Sequence, residues 1–544
     1  MDLTSSGRSW AIAAPHTLAT TAGAEMFERG GNAIDAALAA AITLAVTCPN
    51  NCGVGGDLFA VVERGGHDGG DTLVVRSAGR AAAAGDPDAL RARHGDVMPA
   101  RGPDPVTVPG AVAGWQRLHE MGGRLPWSDL FATAIGAAVD GITIPASTAR
   151  RLAHPDAGDV FGNDPGMASI FFPAGKPMRT GSTLHQPELG RTLETLAAGG
   201  AEALYEGPVG AAYIEGLRAA GSPLTVDDLA SHEAVIVPPL TGAWRGLHVG
   251  VAPPSSQGYS LLQILAVAER LELDPDPCGP DTATWARVFL EAEHDVRRHL
   301  GDPATMTTSV TALLDDGHLA AFADAVRDGK PAGSERPADL GSASEGAMRS
   351  PNRPDGDTIA LVAADADGHA ITLIQSLFLG FGAGILEPTT GIVAHDRGAC
   401  FTLAPGQPGT FAPGSVPPHT LCPVVLHDRQ GLAGVVGTMG GFQQPQIVAQ
   451  VLAALVALGH LPGDALARPR WIVDDLPHDG TVPGVSVERA APEGVAAAIE
   501  AAGFTVTTLA DLHDDVGHTQ AIVIRDGMFH AGADPRADGG ALAG

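Results

Sequence analysis

The sequence has little positive charge and almost no lysine. Its 544 residues carry 33 lysine and arginine residues against 62 aspartate and glutamate residues, which gives a formal net charge of −29. A chain this acidic is repelled by nucleic-acid phosphates and by anionic lipid headgroups, so we expect neither a nucleic-acid partner nor a membrane partner. Lys176 and Lys330 are its only lysines. Their scarcity argues against lysine-imine and pyridoxal chemistry, because arginine forms no Schiff base.

Cysteine and long apolar runs are also scarce. The five cysteines form an odd, sparse set that is typical of free thiols in a reducing compartment: Cys48, Cys52, Cys278, Cys400 and Cys422. Cys48 and Cys52 lie close together, but no second ligand pair accompanies them, so we predict no metal site. The N-terminus lacks a basic region followed by an apolar run, and no apolar stretch is long enough to span a bilayer. We therefore expect a cytoplasmic protein without a secretory signal.

The first strong local pattern is an apolar helix followed by a glycine-rich turn. Apolar residues make up 44% of the chain, which is ample for a large core. Residues 32–47 predict a buried helix, with Asn32 as its N-cap and Pro49 beyond its end. The glycines of the turn that follows do not have the GxGxxG spacing of a dinucleotide site. We predict a packing turn there and no cofactor.

The most informative pattern is a linker that ends at a β-hairpin. Residues 327–357 are dense in Gly, Pro, Ser and charge, which is typical of an exposed linker. A β-branched, apolar strand begins at Thr358, turns at DADG (365–368) and returns to Ser376. If the turn is centred near Asp367, Thr358 pairs with a residue between 375 and 377. We therefore expect Ser376 to lie beside Thr358.

A threonine at the end of a linker can become a nucleophile. Its hydroxyl needs a base, and the α-amine of an N-terminal threonine, with a reference pKa of about 7.7–8.0, can supply one. Thr358 reaches that state only if the peptide bond after Asp357 is cut, by attack of its own hydroxyl on the Asp357 carbonyl. The alternative is a threonine that simply opens an ordinary strand.

The chain resembles the γ-glutamyltranspeptidase family of N-terminal-nucleophile hydrolases over nearly its full length. Any one of the matching motifs is weak, but their series in this order is specific. They include GGNAIDAALAA (30–40), NNCGVGGDLF (50–59), PPSSQGYSLLQIL (253–265), GDTIALVAADADGHAITLIQS (356–376), TMGG (438–441), GHTQAI (517–522) and GADPR (532–536).

The resemblance implies an α+β class with a four-layer αββα fold. It implies autocatalytic cleavage between Asp357 and Thr358 into a large subunit (1–357) and a small subunit (358–544), which remain one intertwined structural domain. Ser376 falls where the family carries a second hydroxyl that hydrogen-bonds the nucleophile. Gly440 and Gly441 fall on the family's oxyanion-hole glycines, whose N–H groups stabilise the tetrahedral intermediate.

The donor-binding positions depart from the family's pattern. The TTH sequence at the nucleophile is replaced by Thr358-Ile359-Ala360, and NNQMDDF is replaced by HDRGACF (395–401). Six residues stand at or near the family's substrate-binding positions. Arg80 lies two places later than the family's arginine, Phe378 replaces an asparagine, and Arg397 replaces a glutamine. Cys400 replaces the acid that holds the donor's ammonium, and His419 and Thr420 replace paired serines. A pocket with Arg397, with Arg80 as a second candidate for the same role, and without that acid favours a carboxylate over an α-ammonium.

The catalytic positions therefore match the family better than the donor pocket does. We predict a self-processing N-terminal threonine amidohydrolase that forms an acyl-enzyme on Thr358 and hydrolyses a small carboxylate-bearing amide, oxamate-like or dicarboxyl. Its partners would be that small molecule and its own two subunits. Three alternatives stay open: a γ-glutamyl hydrolase or transferase acting on glutathione-type donors, a carbon–carbon hydrolase of an antibiotic pathway, and an uncleaved, non-catalytic binding homologue.

Overall fold

The computed structural model describes residues 1–65, 70–329, 358–475 and 483–544. Asp357, the predicted cleavage residue, and positions 330–357 of the predicted linker lie outside the described residues. The linker boundary at 327 is wrong, because a helix continues to Asp328 and ends at Gly329, which adopts the left-handed conformation at φ +65°. A glycine in this conformation is a common helix stop.

Two seven-stranded antiparallel sheets form the centre of the molecule. Sheet 1 has the order β21 (Gly540–Ala543), β2 (Trp10–Ala14), β10 (Thr358–Asp365), β11 (Ala370–Ser376), β3 (Asp57–Arg64), β4 (Asp71–Ser77) and β7 (Val235–Val237). Sheet 2 has the order β1 (Thr4–Gly7), β20 (Met528–Ala533), β19 (Thr519–Arg525), β15 (Gly431–Thr438), β14 (Val424–Asp428), β9 (Leu247–Val251) and β8 (Leu240–Trp244). Both sheets contain strands from before and after residue 358.

Among the described residues, three smaller sheets lie outside this pair. They are β5 (Ile142–Thr143) with β6 (Thr183–Leu184), β12 (Leu386–Glu387) with β13 (Ile392–Val393), and β16 (Trp471–Asp475), β17 (Gly484–Glu488) and β18 (Thr505–Leu509).

The helices are distributed along the whole chain. They are α1 (Thr17–Glu28), α2 (Ala33–Thr47), α3 (Pro87–His94), α4 (Ala111–Gly122), α5 (Ala132–Asp140), α6 (Ala146–Ala153), α7 (Ala157–Phe161), α8 (Pro165–Phe171), α9 (Pro187–Gly199), α10 (Glu202–Tyr205), α11 (Pro208–Ala219), α12 (Val226–Ala230), α13 (Gly258–Arg270), α14 (Thr282–His299), α15 (Val310–Leu313), α16 (Asp316–Asp328), α17 (Gln444–Leu452), α18 (Pro462–Ala467) and α19 (Val495–Ala501). The helix predicted over residues 32–47 is confirmed as α2, and Asn32 caps it through the backbone N–H groups of Ile34 and Asp35.

Apolar side chains divide the fold into four layers. One core packs α1, α2, α4, α5 and α9 on the outer face of sheet 1, and another packs α13, α14, α16 and α17 on the outer face of sheet 2. A third core fills the space between the sheets. The predicted αββα fold is therefore confirmed: each sheet buries one face under helices and the other against its partner.

Strand alternation places the start of β10 between the two sheets. Along β10, Ile359 and Leu361 point into the helix-covered core, whereas Ala360 and Val362 point into the core between the sheets. Because side chains alternate along a strand, Thr358 belongs to the inter-sheet face.

The hairpin register confirms the pairing counted from the sequence. Thr358 pairs with Ser376 across β10 and β11, and Ser376 pairs with Asp57 across β11 and β3. The three side chains therefore form one row on the inter-sheet face of sheet 1. All five cysteines are free thiols, as predicted. Among the described helices, none is both long and apolar enough to cross a bilayer.

Candidate active site

Thr358 and Ser376 bring two hydroxyl groups together at the end of the hairpin. Their oxygens lie 2.9 Å apart, and both residues are buried. The Ser376 Oγ also accepts the backbone N–H of Phe378 at 2.8 Å. Asn51 contacts the same strand ends. Its side-chain Nδ2 donates to the Thr358 backbone carbonyl at 3.3 Å, and its backbone carbonyl accepts the N–H of Leu377.

Gly440 and Gly441 form a turn directly after β15. Their φ angles are +135° and +57°, and within the described residues neither N–H donates a hydrogen bond. A Cβ at Gly437, three residues earlier, would lie 3.2 Å from the Cβ of Ala360, so the end of β15 crosses the start of β10. The turn thus carries two unused donors on the sheet that faces Thr358.

Arg397 lies in a 3₁₀ turn (Arg397–Cys400) and is 1% exposed. Its Nη1 donates to the Thr420 Oγ1 at 3.3 Å and to the Cys400 Sγ at 3.6 Å. The guanidinium carbon lies 4.1 Å from the centre of the Phe378 ring. Its Nε and Nη2 have no hydrogen-bond partner, and in the described part of the chain no carboxylate pairs with it. These two donors form one edge of the planar group, which matches a carboxylate.

The three side chains that contact Arg397 carry no negative charge. Burial raises the pKa of the Cys400 thiol to about 11, so this side chain is a neutral thiol at neutral pH. Phe378 is held at φ +78°, a conformation that bulky residues rarely adopt, and its ring stacks on the guanidinium. Thr420 offers only a hydroxyl.

Buried polar atoms without a hydrogen bond occur on three consecutive residues, 395–397. Besides the two nitrogens of Arg397, they are the His395 Nδ1 and the Asp396 Oδ2. The Asp396 Oδ1 accepts the N–H of Leu379 at 3.0 Å, and burial raises the pKa of Asp396 to about 7. The Asp396 Oδ2 lies 3.8 Å from the Arg101 Nη1, and the His395 Nδ1 lies 3.6 Å from the Asp57 Oδ2. Buried polar groups normally find partners, so the unpaired edge of Arg397 is the part of this segment that indicates a ligand.

His419 does not offer a free ring nitrogen to a substrate. It is fully buried; its Nδ1 accepts the N–H of Thr420 at 3.1 Å and its Nε2 donates to the Asp57 Oδ2 at 3.2 Å. Burial and the nearby Arg397 lower the pKa of His419 to about 3, so the ring is neutral. The predicted direct contact between the His419 ring and substrate therefore does not fit the geometry, because both nitrogens already have protein partners.

Arg80 is exposed, and its Nη1 donates to the carbonyl of Gly414 at 2.9 Å. No contact in the described part of the chain joins Arg80 to Arg397. The hypothesis that the two arginines act on one carboxylate therefore has no geometric support from Arg80.

The sequence did not identify two residues, Asp57 and Gln257, that contact the segments around Arg397, Thr420 and Gly441. Asp57 was visible only as part of the GGDLF motif, and Gln257 only as part of PPSSQGY. The Gln257 Nε2 donates to the carbonyls of Thr420, at 2.9 Å, and Gly441, at 3.1 Å, so it ties the Arg397 pocket to the glycine turn. An acid directly before the apolar run of β3 was the only available signal for Asp57.

The fold and the hydroxyl pair define the N-terminal-nucleophile hydrolase class, in which a strand of a sheet sandwich begins with the attacking residue. Residues 19–544 match the family model described as gamma-glutamyltranspeptidase. The chain belongs to the gamma-glutamyltranspeptidase family, and it is an enzyme of the hydrolase and transferase type with an N-terminal nucleophile.

Individual relatives cover almost the whole chain. An oxamate amidohydrolase proenzyme of Klebsiella pneumoniae is 34% identical, and the match covers 97% of each chain. A glutathione hydrolase-like YwrD proenzyme of Bacillus subtilis is 29% identical over 98% of each chain. Among solved structures, a cephalosporin acylase from Bacillus halodurans superposes with a TM-score of 0.87 at 30% identity, covering 99% of this chain and 97% of that one. The relatives thus include amidohydrolases and acylases that differ in substrate.

Proposed function

We propose that this protein is a self-processing amidohydrolase that uses Thr358 as an N-terminal nucleophile and accepts a small acyl donor with a carboxylate and no α-amine. Oxamyl and glutaryl amides belong to this class. The resemblance to an oxamate amidohydrolase and to a cephalosporin acylase supports the proposal.

The unpaired edge of Arg397 is the observation that carries the substrate class. A buried guanidinium with two unused donors favours a ligand that supplies two coplanar oxygens. A donor α-ammonium would instead meet a cation, an apolar ring and a neutral thiol. Loss of charge-assisted contacts alone disfavours it by about 1.5–3 kcal/mol, before repulsion by Arg397 is counted.

Maturation requires the chain's own groups and one water molecule. In the proposed step, the Thr358 Oγ1 attacks the carbonyl carbon of Asp357, the C–N bond breaks and the hydroxyl proton passes to the Thr358 nitrogen, so the chain is joined by an ester and the Thr358 amine is free. Water then hydrolyses the ester. Asp357 gains an α-carboxylate, and Thr358 regains its hydroxyl beside an α-amine that can act as a base.

Turnover would repeat the chemistry on an external amide. The α-amine takes the hydroxyl proton as the Oγ1 attacks the donor carbonyl, and the Gly440 and Gly441 N–H groups stabilise the oxyanion. Each such donor is typically worth about 2.7–4 kcal/mol of transition-state stabilisation. The amine leaving group takes the proton, and water hydrolyses the acyl ester on Thr358.

Analysis of the purified protein by denaturing electrophoresis and mass spectrometry tests the proposal. We expect two fragments, the smaller of which begins TIALVAAD, and release of amine from a glutaryl or oxamyl amide. A single 55.1 kDa chain without activity would favour the non-catalytic homologue. A different fragment start would assign the nucleophile elsewhere.

We also propose a cytoplasmic location, which the five free thiols support. Fractionation of the source cells tests it, and recovery in a secreted or periplasmic fraction would overturn it.

A further inference from the structure

Asp57 is the third member of the row that contains Thr358 and Ser376. It pairs with Ser376 across β3 and β11, and its side chain is fully buried on the inter-sheet face. The family resemblance gave this residue no role. A buried carboxylate in the middle of a sandwich is costly unless several groups satisfy it.

Three chain segments converge on the Asp57 carboxylate. The Oδ1 accepts the backbone N–H of Gly79 at 3.1 Å. The Oδ2 accepts the Nε2–H of His419 at 3.2 Å, and the His395 Nδ1 lies 3.6 Å from the same oxygen. Burial alone would raise the pKa of Asp57, but His395, His419 and Arg397 lower it below its usual value.

Each of these partners is close in sequence to a residue predicted for the donor pocket. Gly79 precedes Arg80, His419 precedes Thr420, and His395 lies two positions before Arg397. Thr420 in turn contacts the Arg397 Nη1. The Asp57 carboxylate thus binds the His419–Thr420 segment of the proposed pocket by a hydrogen bond and lies beside the segment that carries Arg397.

The hydrogen-bond directions around His419 allow only one arrangement. The N–H of Thr420 can only donate, so the His419 Nδ1 must accept, and the ring proton must be on Nε2. That proton needs an acceptor, and the Asp57 Oδ2 supplies it. The Gly79 N–H needs the other oxygen. A carboxylate satisfies both donors, whereas an amide at this position would oppose one of them with its own N–H.

We infer that Asp57 is the positioning residue of the donor pocket, whose carboxylate sets the orientation of Thr420 through His419, and that of Arg397 through Thr420. The inference rests on the proposed function, because it assigns how that pocket is held rather than a second activity. Asp57 acts through other residues and touches no reacting atom in this account.

The main test replaces Asp57 by asparagine, which preserves shape and removes one acceptor. We expect Asp57→Asn to raise KM for a glutaryl anilide by about 10- to 100-fold, as for the loss of one buried hydrogen bond, with a smaller change in kcat. Self-cleavage should still go to completion, because it uses no donor pocket. KM is the decisive readout, since a lower fraction of folded enzyme changes the apparent kcat and not KM.

Asp35→Asn is the matched control. Asp35 is also fully buried and accepts backbone N–H groups, in the capping box of α2 and from Arg124 and Leu125. The Asp35→Asn variant should have a lower melting temperature than the wild type and an unchanged KM. If Asp57→Asn shows this same pattern, Asp57 is merely structural and the inference is wrong.

Measurements on the wild-type protein distinguish failure of this inference from failure of the proposed function. If the wild type neither cleaves itself nor hydrolyses the glutaryl anilide, the proposed function fails and the inference fails with it. If the wild type does both and Asp57→Asn keeps the wild-type KM, only the inference on Asp57 fails.

Discussion

The hydroxyl oxygens of Thr358 and Ser376 lie 2.9 Å apart because the two residues face each other across directly paired strands. Backbone hydrogen bonds of β10 and β11, rather than a loop, therefore fix their separation. A site built on a rigid sheet loses little entropy when it reaches a reactive geometry. Consequently, substitutions in this pair should affect chemistry more than folding.

Thr358→Ala should yield one uncleaved 55.1 kDa chain without hydrolase activity, because the attacking oxygen is missing. Thr358→Ser keeps a hydroxyl and should still cleave itself, more slowly. Electrophoresis over a time course after purification distinguishes the three proteins. Efficient cleavage of Thr358→Ala would mean that another residue is the nucleophile.

Ser376→Ala should slow both self-cleavage and turnover by about 10- to 100-fold, as expected for the loss of one buried hydrogen bond. The folded state should survive, since only one hydroxyl is removed. Ser222→Ala, a buried serine whose Oγ accepts the N–H of Leu224, is the control and should show wild-type rates. Unchanged rates in both steps for Ser376→Ala would remove Ser376 from the site.

Gly440 and Gly441, whose N–H groups we propose as the oxyanion donors, should respond differently to alanine. Gly440 has φ +135°, and an added Cβ would lie 2.5 Å from the Ile447 Cδ1; Gly441 has φ +57°, and its nearest such contact is 4.0 Å away. Gly440→Ala must shift the turn and should lower kcat by about 10²–10³-fold, the effect of losing one oxyanion donor. Gly441→Ala should lower kcat much less than Gly440→Ala does. Similar kcat values for Gly440→Ala and the wild type would exclude this turn as the oxyanion site.

The Thr358–Ser376 pairing could be predicted from sequence because it depends on local chemistry. An Asp-Gly turn between two β-branched runs fixes the register of a hairpin, and the register fixes which residues face each other. The helix over residues 32–47 was equally local, since its cap and its apolar positions lie within one segment.

The contacts of the Asp57 carboxylate could not be predicted in this way. Gly79 follows β4, the neighbour of β3 in the same sheet, but His395 and His419 are far away in the sequence, His419 by 362 positions, and only tertiary packing brings them to Asp57. His419 shows the same limit: its sequence position indicated a substrate contact, whereas packing turned both ring nitrogens to protein partners. The direction of a side chain depends on tertiary packing, which composition and periodicity do not encode.

Arg397→Met should raise KM for a glutaryl donor and leave self-cleavage close to the wild-type rate. Methionine keeps an unbranched side chain of similar length and removes the planar fork, so about 1.5–3 kcal/mol of charge-assisted binding is lost, roughly 10- to 150-fold in KM. Arg397→Lys keeps the positive charge without the planar guanidinium, so its KM should lie between those of the wild type and Arg397→Met. An unchanged KM in Arg397→Met would make Arg397 a structural residue.

The central claim is that the pocket selects a carboxylate and rejects an α-ammonium. Its most direct test is kcat/KM of the processed wild-type enzyme for two matched anilides, glutaryl and γ-glutamyl, which differ only in the α-amine. We predict that the glutaryl compound is preferred by about tenfold or more, because the ammonium meets Arg397 and a neutral thiol at Cys400. A preference of tenfold or more for the γ-glutamyl compound would contradict the account and assign the protein an ordinary γ-glutamyl hydrolase or transferase activity.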